Sequence, residues 1–141
     1  MAAAKFHHTN IRTTKPKETF RFYSALGFRR IGSVALGDVH VVYLSLDGEN
    51  PTIEVSAYEN APPDWPSSMG DAHIALSVPN LDHELVRLSK EGIEPISGPM
   101  TAPGHEEIRF CFLVDPSGYK VELLDGNYDL PQDSLPHSWG V

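Results

Sequence analysis

Hydrophobic and polar residues alternate in eight short runs along the chain, a pattern typical of half-buried β-strands. Two other segments, Lys15–Leu26 and Leu81–Glu91, place their apolar residues at helical spacing instead. The order of these elements is βαβββ followed by a second βαβββ. The eight strand-like runs are His7–Thr13, Arg30–Leu36, Val39–Leu46, Thr52–Ala57, His73–Val78, Ile93–Ser97, Ile108–Val114 and Lys120–Leu124.

The two halves of this pattern repeat in register. His8 precedes Gly27 by 19 residues, and His73 precedes Gly92 by the same 19 residues. Each glycine follows a predicted helix, where its freedom to adopt positive φ ends the helix. The side chains predicted to cap the starts of the two helices are Thr14 and Asn80.

The repeat predicts an α+β fold made of two βαβββ modules in tandem. A chain of 141 residues with 40% hydrophobic content suits one compact domain better than two independent ones. The segment between the modules, NAPPDWPSSMG, is rich in proline, which disfavours regular structure. We therefore expect a single domain over 1–125, with module 1 at about 5–59, a linker at 60–70, module 2 at about 71–125, and an extended tail at 126–141.

Charge and composition exclude several classes of function. The formal net charge of −8 provides no basic surface for nucleic acid. No stretch has the length and hydrophobicity of a signal peptide or membrane span, so we expect a cytoplasmic protein that does not bind membranes. The single cysteine, Cys111, cannot form an intrachain disulfide or a cysteine-rich zinc site. Any metal site must therefore use histidine and carboxylate ligands.

The candidate chemistry lies in one histidine and one glutamate per module. Each histidine is on the first strand of its module and each glutamate is in the middle of the last. Both carboxylates are flanked by aliphatic residues in half-buried strands, an arrangement that a divalent cation would stabilise. Two imidazoles and two carboxylates form an N2O2 ligand set suited to Ni, Co, Mn, Fe or Zn. The four candidate ligands are His8, Glu54, His73 and Glu122.

Strand alternation also predicts which neighbours share a face with these residues. Residues two apart in a strand point the same way, so His8, Asn10 and Arg12 should lie on one face. His7 should lie on the opposite face, and we do not expect His7 and His8 to serve one pocket. Aromatic side chains that could form a pocket wall, although their alternation is also typical of a core, are Tyr43, Trp65, Phe110 and Phe112.

Five short motifs resemble the glyoxalase, or vicinal oxygen chelate, superfamily, and within it most resemble the bacterial lactoylglutathione lyases (glyoxalase I). They cover nearly the whole chain from Lys5 to Asp125. The motifs are H-T-x-I-R at His8–Arg12, F-Y-x-x-L-G-F at Phe22–Phe28, I-E at Ile53–Glu54, H-I-A-L-S-V at His73–Val78 and D-P-x-G-Y-x-x-E-L at Asp115–Leu123.

The resemblance implies a homodimer with its metal sites at the subunit interface. His8 and Glu54 of one chain would join His73 and Glu122 of the other around a divalent ion, with nickel or cobalt favoured and zinc, manganese or iron possible. The implied activity is a lyase or isomerase reaction on a small molecule. The hemithioacetal of methylglyoxal and a thiol, glutathione or similar, would become a 2-hydroxyacyl thioester through an enediolate.

The resemblance also assigns roles to individual residues in this reaction. Glu122 is the candidate catalytic base and Glu54 its partner on the opposite side of the substrate. Arg12 is the candidate binding residue for the carboxylates of the thiol.

Two other interpretations remain open at the level of sequence, because one scaffold can support many reactions. One is a different metalloenzyme of the same superfamily, such as an epoxide-opening resistance enzyme of the fosfomycin type, a dioxygenase or an epimerase, in which Glu54 acts as a base rather than a ligand. The other is a metal-free resistance protein that binds a drug.

Overall fold

A computed structural model of the chain describes residues 6–66, 70, 73–126, 136 and 138. Almost all of the predicted tail at 126–141 and part of the predicted linker at 60–70 lie outside the described residues. Within the described part, no helix is long and apolar enough to cross a membrane.

The first module forms a four-stranded sheet with one helix. In chain order its elements are β1 (Thr9–Thr13), α1 (Pro16–Ala25), β2 (Arg29–Leu36), β3 (Val39–Ser45) and β4 (Ile53–Tyr58). The strand order is β1-β4-β3-β2, with β1 parallel to β4 and the other neighbours antiparallel.

The second module repeats this topology. Its elements are β5 (His73–Val78), α2 (Leu81–Lys90), β6 (Ser97–Ala102), β7 (His105–Val114) and β8 (Lys120–Asp125). The strand order is β5-β8-β7-β6, with β5 parallel to β8 and the other neighbours antiparallel. The predicted α+β fold of two tandem βαβββ modules is therefore confirmed.

One hydrophobic cluster includes buried residues of both modules and both helices. On β4 and β8 the residues on either side of the glutamate are completely buried, which places the glutamate itself on the opposite face. A buried hydrogen bond from the Tyr23 hydroxyl to Asp115 Oδ2, 2.8 Å long, joins α1 to the loop between β7 and β8. The flanking residues are Ile53, Val55, Val121 and Leu123.

The predicted position of the sixth strand was wrong. The sequence favoured Ile93–Ser97, whereas β6 runs over Ser97–Ala102, through Gly98 and Pro99. Proline lacks the backbone N–H that a sheet ladder uses, and it is tolerated here because β6 is the edge strand of its sheet.

Three of the four predicted helix boundaries are confirmed. Asn80 caps α2 by accepting a hydrogen bond from the backbone N–H of His83 at 3.0 Å, and Gly27 and Gly92 have positive φ beyond the helix ends. Thr14 is not the cap of α1. The cap position is Lys15, whose side chain makes no capping bond.

Candidate metal centre

The first histidine and glutamate lie side by side at the exposed face of the first sheet. Parallel pairing of β1 with β4 sets Asn10 opposite Glu54, so His8, just before β1, reaches the same carboxylate. His8 Nε2 lies 3.2 Å from Glu54 Oε2. Both side chains are partly buried, with exposed fractions of 28% and 19%.

Two further polar side chains contact the Glu54 carboxylate. Asn10 donates a 2.9 Å hydrogen bond from Nδ2 to Oε1. Tyr43 lies opposite Glu54 on β3, and its hydrogen bond to the carboxylate, with burial, raises the pKa of Tyr43. Glu54 is therefore contacted by three side chains from two segments, His8 and Asn10 at the start of the first module and Tyr43 on β3.

The second histidine and glutamate form an equivalent pair on the second sheet. His73 is the first residue of β5, and its Nε2 lies 2.9 Å from Glu122 Oε2 on β8. Phe112 of β7 is opposite Glu122, and its ring centroid is 5.2 Å from that of His73 with the two planes nearly perpendicular.

The two pairs are not joined within one chain. Among the described residues, no three His, Cys, Asp or Glu side chains are grouped closely enough to hold a metal ion. Each pair nevertheless brings one imidazole nitrogen beside one carboxylate oxygen, the donor atoms that first-row divalent metals accept. The donors fit a divalent ion, and each pair contains two of the four predicted ligands. We call His8 with Glu54 the first half-site and His73 with Glu122 the second half-site.

The second half-site borders a cavity of about 370 Å³ through His73, and the first module has a cavity of about the same volume at the corresponding position, lined by His7 and not by His8 or Glu54. Both lie against the aromatic residue paired with the glutamate, Tyr43 in the first module and Phe112 in the second. These two aromatic residues are therefore cavity walls and not core residues. The other lining residues are His7, Ile31, Gly32 and Pro51 in the first cavity, and His73, Ile96, Ser97 and Lys120 in the second.

The prediction that His7 lies on the face opposite to His8 was wrong. Their Nδ1 atoms are 2.7 Å apart, and both rings lie edge-on to Tyr43. Strand alternation fails here because β1 begins only at Thr9, so the backbone at His7 and His8 is not part of the pleated ladder. From Asn10 to Thr13 the alternation holds, with Ile11 and Thr13 buried.

Arg12 is on the same strand as Asn10 and is partly buried. Its guanidinium carbon lies 4.9 Å from the centre of the Trp65 ring, and its Nη1 is 3.4 Å from Asp64 Oδ1. Both contacts come from the segment between the modules. The Asp64 side chain is 79% exposed, so this ion pair is weak and open to exchange with another anion.

Sequence reasoning assigned no role to Asn10 or His7 at the first half-site, and it placed Tyr43 in a pocket wall without its contact to Glu54. Asn10 could have been found from the sequence, because strand alternation places it on the same face as His8 and its side-chain amide can donate a hydrogen bond to a carboxylate. Tyr43 could be placed only from the register of β3 on β4, and His7 only from the point where β1 begins.

Comparison with known proteins identifies the family. The sequence profile of the Glyoxalase/Bleomycin resistance protein/Dioxygenase superfamily matches residues 5–123, which include both half-sites. The chain belongs to this superfamily. No curated protein sequence matches it significantly.

Solved structures share the fold at low sequence identity. Glyoxalase I of Leishmania major, described as trypanothione-dependent, is 22% identical with a TM-score of 0.69, and 88% of each chain is covered. A glyoxalase family protein from Enterococcus faecalis is 23% identical with a TM-score of 0.70, covering 86% of this chain and 97% of the other. An antibiotic-binding protein from a Streptomyces species is 17% identical with a TM-score of 0.65, covering 90% and 99%. At these identities the likeness shows the fold alone.

Proposed function

We propose that the protein is a metal-dependent lyase of the glyoxalase I type. Its substrate would be the hemithioacetal of methylglyoxal with glutathione or a similar thiol, and its product a 2-hydroxyacyl thioester. The observation that carries the proposal is the pair of equivalent half-sites, each with an imidazole nitrogen about 3 Å from a carboxylate oxygen. Independent surface residues would have no reason to recur at the same place in two modules.

The complete site would form between two copies of the chain. His8 and Glu54 of one protomer would face His73 and Glu122 of its partner, giving two equal sites per dimer. Edge strand β2 supports this arrangement because nearly all of it is exposed in the single chain, including the apolar residues Ile31, Val34 and Leu36. A second copy covering this strand would bury these side chains.

Nickel or cobalt is the favoured metal, with zinc, manganese or iron as the other options. When bound, the metal would polarise the carbonyl of the hemithioacetal and make the adjacent C–H bond more acidic. The chain's own residues would supply the ligands, the base and the walls of the substrate cavity.

Glu122 would act as the base and Glu54 mainly as a ligand. The proton would leave the carbon that carries the sulfur, pass to the Glu122 carboxylate, and return to the neighbouring carbon to give the thioester. The surroundings of the two glutamates support this division. Asn10 and Tyr43 hold Glu54 in place by hydrogen bonds, whereas Ala75 and Phe112, at the corresponding positions beside Glu122, have no side-chain donor.

Arg12 would bind a carboxylate of the thiol. Its guanidinium is already oriented by Trp65, and its exposed partner Asp64 could be displaced by a substrate carboxylate.

Turnover of the methylglyoxal–glutathione hemithioacetal by protein reconstituted with Ni, Co, Mn or Zn tests the proposal. We expect thioester formation with at least one metal by the wild type, and its loss in Glu122→Gln at the same metal loading. Stoichiometric metal binding without thioester formation would contradict the proposed substrate and leave the metal site standing. The absence of metal binding would favour a metal-free binding protein.

A further inference from the structure

The contact between His7 and His8 adds a third imidazole to the first half-site, outside the four proposed ligands. The Nδ1 atoms of the two rings are 2.7 Å apart, and the rings are nearly perpendicular. At this distance one nitrogen must carry a proton and the other must accept it. When both rings are neutral, the tautomer of one ring therefore fixes the tautomer of the other.

The Glu54 contact decides which nitrogen of His8 carries the proton before a metal binds. A carboxylate can only accept, so His8 donates from Nε2 to Glu54. In neutral His8 the Nδ1 atom then has a lone pair, and it must accept a hydrogen bond from Nδ1–H of His7.

Metal coordination requires the opposite arrangement. His8 Nε2, the atom beside Glu54, must present its lone pair to the metal, so the proton of neutral His8 must be on Nδ1. That Nδ1–H then donates to His7 Nδ1, and the proton of His7 must be on Nε2. Each ring loses one proton and gains one, by exchange with solvent, and the net charge of the pair does not change.

We propose that His7 is a positioning residue for the metal ligand His8, with the two imidazoles changing tautomer together when the metal binds. This inference rests on the proposed metal site. An acceptor behind a ligating histidine fixes its ring orientation and strengthens its donor nitrogen, and loss of such a partner typically weakens metal binding about 10-fold to 100-fold.

The second module allows a comparison with the position of His7. The residue before His73 lies outside the described part of the chain, and it is Ala72 in the sequence, which offers no side-chain acceptor. The second module therefore has an alanine at the position of His7, and the coupled tautomer change is inferred for the first half-site.

Nitrogen-15 NMR of the histidine side chains tests the tautomer change directly in the wild type. The spectra are recorded with and without Zn²⁺, at a pH where both imidazoles are neutral. We expect the proton of His7 to move from Nδ1 to Nε2 as His8 Nε2 becomes metal-bound. If one Zn²⁺ binds per chain and the His7 tautomer stays unchanged, the inference is wrong while the proposed metal site stands. If no Zn²⁺, Ni²⁺ or Co²⁺ binds stoichiometrically, both are wrong.

Variants of His7 add an affinity measurement with Co²⁺ as the probe. We expect His7→Leu, which removes the acceptor, to weaken binding about tenfold, and His7→Asn, which keeps an acceptor near the Nδ1 position, to stay within about threefold of the wild type. His40→Leu is the matched control, since His40 is an exposed histidine on β3 of the same module. Equal Co²⁺ affinity in His7→Leu and the wild type would overturn the inference.

Discussion

The two half-sites have the same backbone frame and different surroundings. In both, a histidine at or directly before the first residue of the first strand lies beside a glutamate on the last strand, and an aromatic residue is paired with that glutamate across the sheet. The first half-site adds donors from Asn10 and Tyr43, and a histidine behind His8. The second has Ala75 and Phe112 at the equivalent positions. The two modules thus share the candidate ligands and differ in the side chains that contact them.

The different surroundings of Glu54 and Glu122 fit the different roles proposed for the two carboxylates. A carboxylate fixed by several hydrogen bonds is suited to remain a ligand, whereas Glu122, which has Ala75 and Phe112 in place of the two donors, has fewer constraints on moving toward substrate. Burial does not separate them, because the exposed fractions of Glu54 and Glu122 are similar at 19% and 17%.

The largest effect should come from removing each carboxylate in turn. At saturating metal, we expect Glu122→Gln to lower kcat by about 10²-fold to 10⁴-fold, the range for loss of a general base. Glu54→Gln should mainly weaken metal affinity, with a smaller loss of kcat once the metal is saturating. Titration of metal and measurement of kcat on both variants check this. An equal loss of kcat in the two would remove the distinction between ligand and base.

The buried contact between the modules provides the next comparison. Tyr23 of α1 donates to Asp115, whereas Leu88, at the equivalent position of α2, is purely apolar. We expect Tyr23→Phe to lower the free energy of unfolding by about 1.5–3 kcal/mol, because it removes a buried hydrogen bond to a carboxyl group. Urea denaturation measures the change. Tyr58→Phe, at a half-buried tyrosine of β4, is the control, and a similar loss there would show that the contact has no special value.

Converting the first half-site toward the second should have a moderate effect. Asn10→Ala combined with Tyr43→Phe reproduces the pair Ala75 and Phe112 around Glu54. We expect about a tenfold loss of metal affinity, since supporting hydrogen bonds to a ligand are worth at least this much. Calorimetric titration with Ni²⁺ checks it. Affinity equal to that of the wild type would mean that these donors do not hold Glu54 for the metal.

The smallest expected effect concerns two aspartates that organise the loops before β4 and β8. Asp47 accepts hydrogen bonds from Asn50, Glu49 and Ser45, which hold the pKa of its carboxyl well below the usual range. Its stabilising contribution is present at neutral pH and is lost as the pH falls through that lowered pKa.

The pKa of Asp115 changes in the opposite direction, because burial raises the pKa of its carboxyl. Folding then favours the protonated form, so its contribution to stability decreases as the pH rises through that raised pKa. Carbon-13 NMR of the two carboxyl groups during an acid titration should show Asp115 protonating first and Asp47 last. The reverse order would contradict the assigned surroundings.

Much of the fold and the four candidate ligands could be predicted because both depend on local periodicity repeated in two modules. Seven of the eight strands lie close to their predicted positions. The sixth was misplaced because Gly98 and Pro99 resemble a turn, and only the edge position of β6 allows them in a strand.

Contacts that depend on strand register could not be predicted in the same way. The sequence indicated that Glu54 opposes the apolar face, but not that Tyr43 lies beside it, because this requires the pairing of β3 with β4. The sequence also did not show that the four candidate ligands form two separate pairs. This separation depends on which strands are neighbours in each sheet, and the spacing of residues along the chain does not determine that order.

Subunit complementation is the decisive test of whether the first half-site of one chain combines with the second half-site of another. In a mixed dimer of His8→Ala and His73→Ala chains, one site would carry both substitutions and the other would be intact. After random subunit exchange of equal amounts, we expect about a quarter of the wild-type metal sites and activity to return. A mixture of His8→Ala with Glu54→Gln is the matched control, because both changes lie in the first module and no intact site can form. Recovery in the first mixture alone is the predicted result, and no recovery in either, with subunit exchange demonstrated, would contradict a site shared between two chains.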